Sequence, residues 1–223
     1  GEAPSDRSGY SVSMSSDGTR VAIGAPYNDG NPYNAGHVRV YSESGGTWTQ
    51  VGADIDGEAA NDNSGYSVSM SSDGTRVAIG AYRNDGNGSN SGHVRVYAEN
   101  GGTWYKVGQD INGEASGDES GLSVSISADG TRVAIGASRN NGSGTDMGHV
   151  RVYGYYGYMG WAKVGLDIDG EATYDNSGYS VSMSSDGARV AIGAWGNDAN
   201  GSNSGHVRVY SESGGTWTKV GQD

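Results

Sequence analysis

A chain of 223 residues with 41 glycines, no cysteine and a formal charge of −12 excludes several functions at the outset. Disulfides, thiol catalysis and cysteine-based zinc sites are out, and the acidic balance argues against nucleic acid or anionic membranes, which need clustered Lys and Arg. No apolar run approaches the roughly 18 residues of a spanning helix, so no membrane insertion is expected.

Gly1-Glu2-Ala3 reads as mid-loop, as in a mature or excised form. The first element is Tyr10-Ser-Val-Ser-Met14, in which large apolar residues alternate with serine at the period of a strand. Asp17-Gly18 follows and leads into Arg20-Val-Ala-Ile-Gly-Ala25, a second alternating run; an Asp-Gly pair in this position predicts a tight hairpin. A polar loop then leads to His37-Val-Arg-Val-Tyr41. Gly45-Gly46 turns the chain into a fourth strand over Thr47–Val51, and Gly52–Ser64 is turn-rich.

The whole passage then repeats. Gly9–Ala25 returns as Gly65–Ala81, as Gly121–Ala137 and as Gly178–Ala194. A fixed period of about 56 residues, each holding four antiparallel strands, predicts an all-β protein: a β-propeller of four four-stranded blades. The blades are expected at approximately 1–54, 55–110, 111–167 and 168–223, in one domain. Val12, Met14, Val21 and Ile23 are large, whereas Ser11, Ser13, Ala22 and Gly24 are small. The bulky face of one blade is therefore expected to nest on the small face of its neighbour, as close packing requires. The units look like whole blades, with Thr216–Val220 the last strand. A closed four-bladed monomer is expected, with pairing to a second chain or a longer array as alternatives.

Gly-Tyr-Ser-Val, Val-Ala-Ile-Gly-Ala-Pro (Val21–Pro26) and Gly-His-Val-Arg-Val-Tyr (Gly36–Tyr41) resemble the FG-GAP repeats of integrin α-subunit propellers, and especially those of microbial and algal extracellular proteins. The resemblance covers all four copies. It implies a propeller and suggests adhesion or ligand binding at the cell surface or in secreted form. The family's Asp-x-Asp-x-Asp-Gly calcium loop lies between the first two strands, where this chain has only Ser16-Asp-Gly-Thr19, so that metal site is not implied.

Three sets of residues stand out. His37, His93, His149 and His206 recur at one position. With strands about 4.8 Å apart they lie roughly 10 Å outside the axial strand, too far to converge on a metal, and they read as a structural layer between blades. Asp54-Ile-Asp56-Gly-Glu58 with Asp62 offers hard oxygen ligands for calcium. So do Asp110 and Asn112 with Asp118, and Asp167 and Asp169 with Asp175. Asn28-Asp29-Gly30-Asn31 is a weaker candidate of the same kind. Asn87, Asn141 and Asn200 begin Asn-Gly-Ser triplets that read as turns or as glycan acceptors on exposed loops. The third set comes from differences between copies, which collect in the second-to-third loop and the blade-to-blade loop. These are expected on one rim, carrying Tyr27, Tyr33, Tyr82, Arg83, Arg139, Tyr174 and Trp195, the aromatic and polar mixture that binds sugars.

No serine elbow, phosphate loop or His-Glu-x-x-His occurs, and the carboxylates either recur in every copy or sit in acidic loops, whereas catalytic sites are asymmetric. The expectation is a non-enzymatic extracellular binding or adhesion module that holds a glycan or protein on the rim. The alternative is a structural repeat subunit of a surface layer, filament or larger propeller array with no ligand of its own, and a glycan-active enzyme comes third.

Overall fold

The computed structural model describes residues 1–30, 32–142 and 144–222. Asn31, Ser143 of the Asn141 triplet and Asp223 lie outside the described residues. The first unit holds β1 (Ser11–Met14), β2 (Arg20–Ala25), β3 (His37–Ser44), β4 (Thr47–Gln50) and β5 (Ile55–Asp56). The second holds β6 (Ser67–Met70), β7 (Arg76–Ala81), β8 (His93–Asn100), β9 (Thr103–Lys106) and β10 (Ile111–Asn112). The third holds β11 (Ser123–Ile126), β12 (Arg132–Ala137), β13 (His149–Tyr155), β14 (Trp161–Lys163) and β15 (Ile168–Asp169), and the fourth β16 (Ser180–Met183), β17 (Arg189–Ala194), β18 (His206–Ser213) and β19 (Thr216–Val220).

Each unit is one antiparallel sheet in sequence order, as the alternating runs predict. The Asp-Gly hairpin forms where expected: Gly18 takes φ +75°, and the Asp17 carboxylate accepts from Ser15 Oγ (2.6 Å) and the Thr19 amide (3.0 Å). One feature differs from the expected four strands. Ile55–Asp56 is a short strand on β3, with Val38 opposite Ile55 and His37 opposite Asp56, so the first sheet runs past residue 54. A two-residue strand has no period to reveal it. The extra residue of the third unit is absorbed in the outer hairpin by a single turn at Gly157–Met159.

Sheet packs on sheet, small against large at the two inner strands and with valine and isoleucine added by the third and fifth. Ala22, Val38, Val40 and Ile55 of the first sheet meet Val68, Met70, Val77 and Ile79 of the second. The same arrangement joins second to third and third to fourth. At the seam, Ser11 Oγ donates to the Gly65 carbonyl (2.7 Å), and Ser67 and Ser123 do the same one unit on. A tryptophan of each later sheet locks the outer edge: Trp104, Trp161 and Trp217 Nε1 donate to the carbonyls of Val51, Val107 and Val164 at 2.7–2.8 Å.

The four blades stand as expected, but their closure into a ring does not. Among the described residues the packing runs first to second, second to third and third to fourth. The outward faces of the end blades remain open, with Val12 63% and Val207 60% exposed. The arrangement among the described residues is an open arc.

Trp161 of the seam's tryptophan row is 4% exposed, and Tyr158, three residues earlier, is fully exposed. Guanidinium unfolding is therefore expected to show Trp161→Ala losing about 3–5 kcal/mol and Tyr158→Ala within about 0.5 kcal/mol of the parent.

Candidate active site

The axial end of each unit carries two variable side chains. One follows the leading glycine (Tyr10, Tyr66, Leu122, Tyr179) and the other follows Gly-Ala (Pro26, Tyr82, Ser138, Trp195). Where both are aromatic they pair: Tyr66 and Tyr82 ring centres lie 4.3 Å apart, and Tyr179 and Trp195 6.1 Å apart. Tyr10 extends the row to Tyr66 at 4.8 Å. The third unit has Leu122 and Ser138 in these places, and the row is interrupted there.

A cavity of about 480 Å³ opens at the interruption. Tyr66 and Tyr82 form one wall and Tyr179 and Trp195 the other, with Leu122 and Ser138 between them and Arg83, Glu119, Arg139, Asp146 and Asn176 completing the lining. Two of these, Glu119 and Asp146, are acids peculiar to their unit. Glu119 occupies the position of Arg7, Asn63 and Asn176, and all four residues take φ near +55°. Asn63 and Asn176 use their amides to donate to the carbonyls of Pro26 (2.9 Å) and Ser138 (3.2 Å). A glutamate has no such donor, and its carboxylate instead meets Arg139 Nη1 at 3.2 Å. Asp146 likewise stands where the other units have Asn34, Asn90 and Asn203. Burial pushes the Glu119 carboxyl above the usual glutamate range; Arg139 and Arg83 pull it down and Asp146 adds to the rise. A carboxylate so placed, half-buried beside a guanidinium group, is suited to accept a proton from water.

The rim residues named from the sequence divide. Tyr82, Arg83, Arg139 and Trp195 come together in this cavity. Tyr27 and Tyr33 line a separate one, with Arg7 4.3 Å over the Tyr27 ring, and Tyr174 is exposed away from both. Sequence reasoning missed Glu119 and Asp146. The signal was available: each is an acid at a repeat position otherwise held by an amide or a base.

The acidic turn segments do not gather round one point. Asp54 accepts from Arg39 Nε (2.9 Å) and Nη2 (2.7 Å) within its own unit, whereas Glu58 pairs with Arg95 of the next. Asp110 pairs with Arg95 and Lys106, Asp167 with Arg151 and Lys163. Asp62, Asp118 and Asp175 are buried and each accepts from an asparagine amide, of Asn84, Asn140 and Asn197. Asp56 and Asn112 stand exposed in β5 and β10, and Asp169 in β15. The groupings that could share an ion are Glu2–His37–Asp54, Glu58–His93–Asp110 and Glu114–His149–Asp167, and an arginine already spans the carboxylates of each. His37 Nδ1 lies 3.7 Å from Asp54 and His149 Nδ1 4.0 Å from Glu114, so both histidines border this ion layer. Burial lowers the affinity of His37, His93 and His149 for a proton, with Arg39 adding to the effect at His37. His206 begins the same strand in the fourth unit.

The FG-GAP repeat family matches residues 2–41, 53–97 and 167–210, more than half of the chain. The chain belongs to the FG-GAP repeat family, whose repeats are typical of extracellular proteins. No curated protein matches it. Among solved structures it is similar to the periplasmic gluconolactonase of Pseudomonas aeruginosa (15% identity, TM-score 0.64, 95% of this chain and 56% of that one). It is also similar to a 6-phosphogluconolactonase, so titled provisionally, of Bacteroides uniformis (12%, 0.63, 94% and 52%). A counterpart from Bacteroides fragilis is comparable (11%, 0.60, 94% and 52%). The chain spans about half the length of these structures, and at such identities the likeness is one of fold. It nevertheless corrects the expectation of a non-enzymatic binding or adhesion module and of a subunit without a ligand. Proteins named as lactonases have this fold.

The ion layer yields a pH test. Burial alone would raise the Asp167 carboxyl, but hydrogen bonds from Arg151 and Lys163 outweigh it and hold it at about 2. A carboxyl depressed on folding stabilises the fold above its unfolded pKa of about 3.9, and that stability is lost as pH falls toward 2. Denaturant titrations are expected to find Asp167→Asn about 1–2 kcal/mol less stable than the parent at pH 7, after allowance for solvent screening, with the gap closing at pH 2.

Proposed function

We propose that the chain hydrolyses a sugar-acid lactone, or a closely similar polyhydroxylated cyclic ester, in the three-unit cavity. The observation that carries this reading is Glu119, a carboxylate peculiar to its unit, half-buried beside Arg139 and between two aromatic walls. The names of the structures with this fold support the substrate class. The FG-GAP repeats, together with the periplasmic member of that group, support a site of action outside the cytoplasm.

In this reading the rings of Tyr66, Tyr82, Tyr179 and Trp195 stack on the sugar, and Arg83 and Arg139 attract the carbonyl oxygen as it gains negative charge. Glu119 takes a proton from water as the water oxygen attacks the carbonyl carbon. The carbonyl then re-forms, the ring carbon–oxygen bond breaks, and the departing oxygen takes the proton back from Glu119. The product is an open hydroxy acid whose new carboxylate faces two arginines. Donation from a carboxylic acid needs a pKa above the ordinary value, and burial raises that of Glu119.

The test is the rate of glucono-δ-lactone opening, followed by proton release. The parent chain is expected to exceed the buffer rate, and Glu119→Gln to lower kcat by about 10²–10⁴-fold at unchanged melting temperature. Activity should fall on acidification at a pH above the usual glutamate range, since only the ionised carboxylate serves as base. Ser138→Tyr supplies an aromatic side chain such as the second and fourth units carry there and should block the cavity. A parent rate equal to buffer would sink the reading.

A further inference from the structure

The two open faces of the arc are the two halves of a seam the chain already makes three times. The outward face of the first sheet carries Val12, Met14 and Trp48, which are 63%, 54% and 45% exposed. Their counterparts Val68 and Met70 in the second sheet are 9% and 7% exposed, beneath the first sheet. The outward face of the fourth sheet carries Ala191, Val207 and Val209, the counterparts of Ala22, Val38 and Val40, which are at most 1% exposed.

Each polar contact of the seam is also present on these faces as a separated half. Trp104, Trp161 and Trp217 donate to a valine carbonyl of the preceding unit; Trp48 is the donor left over and Val220 the acceptor at the same repeat position. Ser11, Ser67 and Ser123 donate to the leading glycine of the next unit; Ser180 and Gly9 remain. A Cβ on Gly24, Gly80 or Gly136 would fall 2.0–2.1 Å from that glycine's carbonyl, whereas Gly193 meets only its own Ser180. The charges match too. Arg20 Nη1 reaches both the Gly74 carbonyl and Glu99 of the next unit at 3.1 Å, and Arg132 repeats this with Gly187 and Glu212. The exposed Arg189 and the first unit's Glu43 and Gly18 are the corresponding halves.

We propose that a second copy of this chain covers both faces, its first blade seated on the fourth blade of the first copy and its fourth on the first, so that two copies close one ring. The contact is head to tail, and two such contacts related by a twofold axis complete a closed assembly. The curvature agrees: nearly all of this chain superposes on about half of the larger structures of the same fold, which leaves room for one more copy. Eight blades fall within the usual propeller range of about four to eight.

Light scattering of the purified chain is expected to give twice the mass of one chain. Val12→Glu and Val207→Glu each alter a side chain that faces solvent in a single copy. Each variant alone is expected to run as a monomer with the parent's circular dichroism. Mixing the two should restore the dimer, because the fourth blade of the first variant and the first blade of the second are both intact. A monomeric parent at micromolar to millimolar concentration, a mass larger than two chains, or variants that stay dimeric would each overturn the proposal. Where a variant does not fold, the mass of the parent alone decides. Lactone hydrolysis is measured separately, so the failure of either idea leaves the other standing.

Discussion

The structure depends on one close approach, repeated at every seam. In the first three units the glycine of the Ala-Ile-Gly-Ala strand lies against the carbonyl of the next unit's leading glycine, so near that a methyl group would overlap it. The adjacent serine hydroxyl donates to the same carbonyl. Two backbones can come this close only where neither has a side chain. The remaining features follow from that constraint. On the two inner strands that face must be Ser, Ala and Gly, the facing sheet must supply the volume there, and the closest contact between blades is one between main chains.

A rigid seam explains where the units are free to differ. The sheets carry nearly the same residues in every copy, and an insertion is tolerated only in the outer hairpin at Gly157–Met159, away from the seam. Elsewhere the differences collect in the second-to-third loops and the loops between units. There the replacement of two aromatic positions by Leu122 and Ser138 removes material from a continuous row and leaves a cavity with aromatic walls. The fourfold pattern supplies the walls, and its local failure supplies the opening.

Much of this was legible in the sequence. Alternation of Val and Ile with Ser, Ala and Gly gave the strands and the packing of large face on small, because a period of two leaves no other pattern. The two-residue strand at Ile55–Asp56 was not legible, since its alternation is too short to register and Asp-Ile-Asp-Gly has the composition of a turn. Nor was closure, because the closest contact between blades is one between main chains, which no side-chain pattern encodes. Of the site, Tyr82, Arg83, Arg139 and Trp195 were visible as differences between copies. Glu119 was hidden in an acidic loop whose net character resembles that of the other loops, and only its alignment with Arg7, Asn63 and Asn176 makes it distinct.

That alignment also bears on why Glu119 is held where it is. The left-handed backbone region suits asparagine, which tolerates it and whose amide can bond locally, and is costly for longer side chains, by roughly 1 kcal/mol or more. Asn63 and Asn176 satisfy the preference and cap a carbonyl as well. Glu119 does neither, yet its backbone follows theirs, with the Glu119 amide bonded to the Asn90 carbonyl and that of Leu122 to Glu119. The conformation is imposed by the loops of the repeat, which are hydrogen-bonded to each other in every unit, and the side chain is carried along into a partly desolvated place between arginines. Glu119 thus keeps the backbone of its counterparts while giving up the bond their amides make, in the one unit that carries an aromatic at neither of the two variable positions.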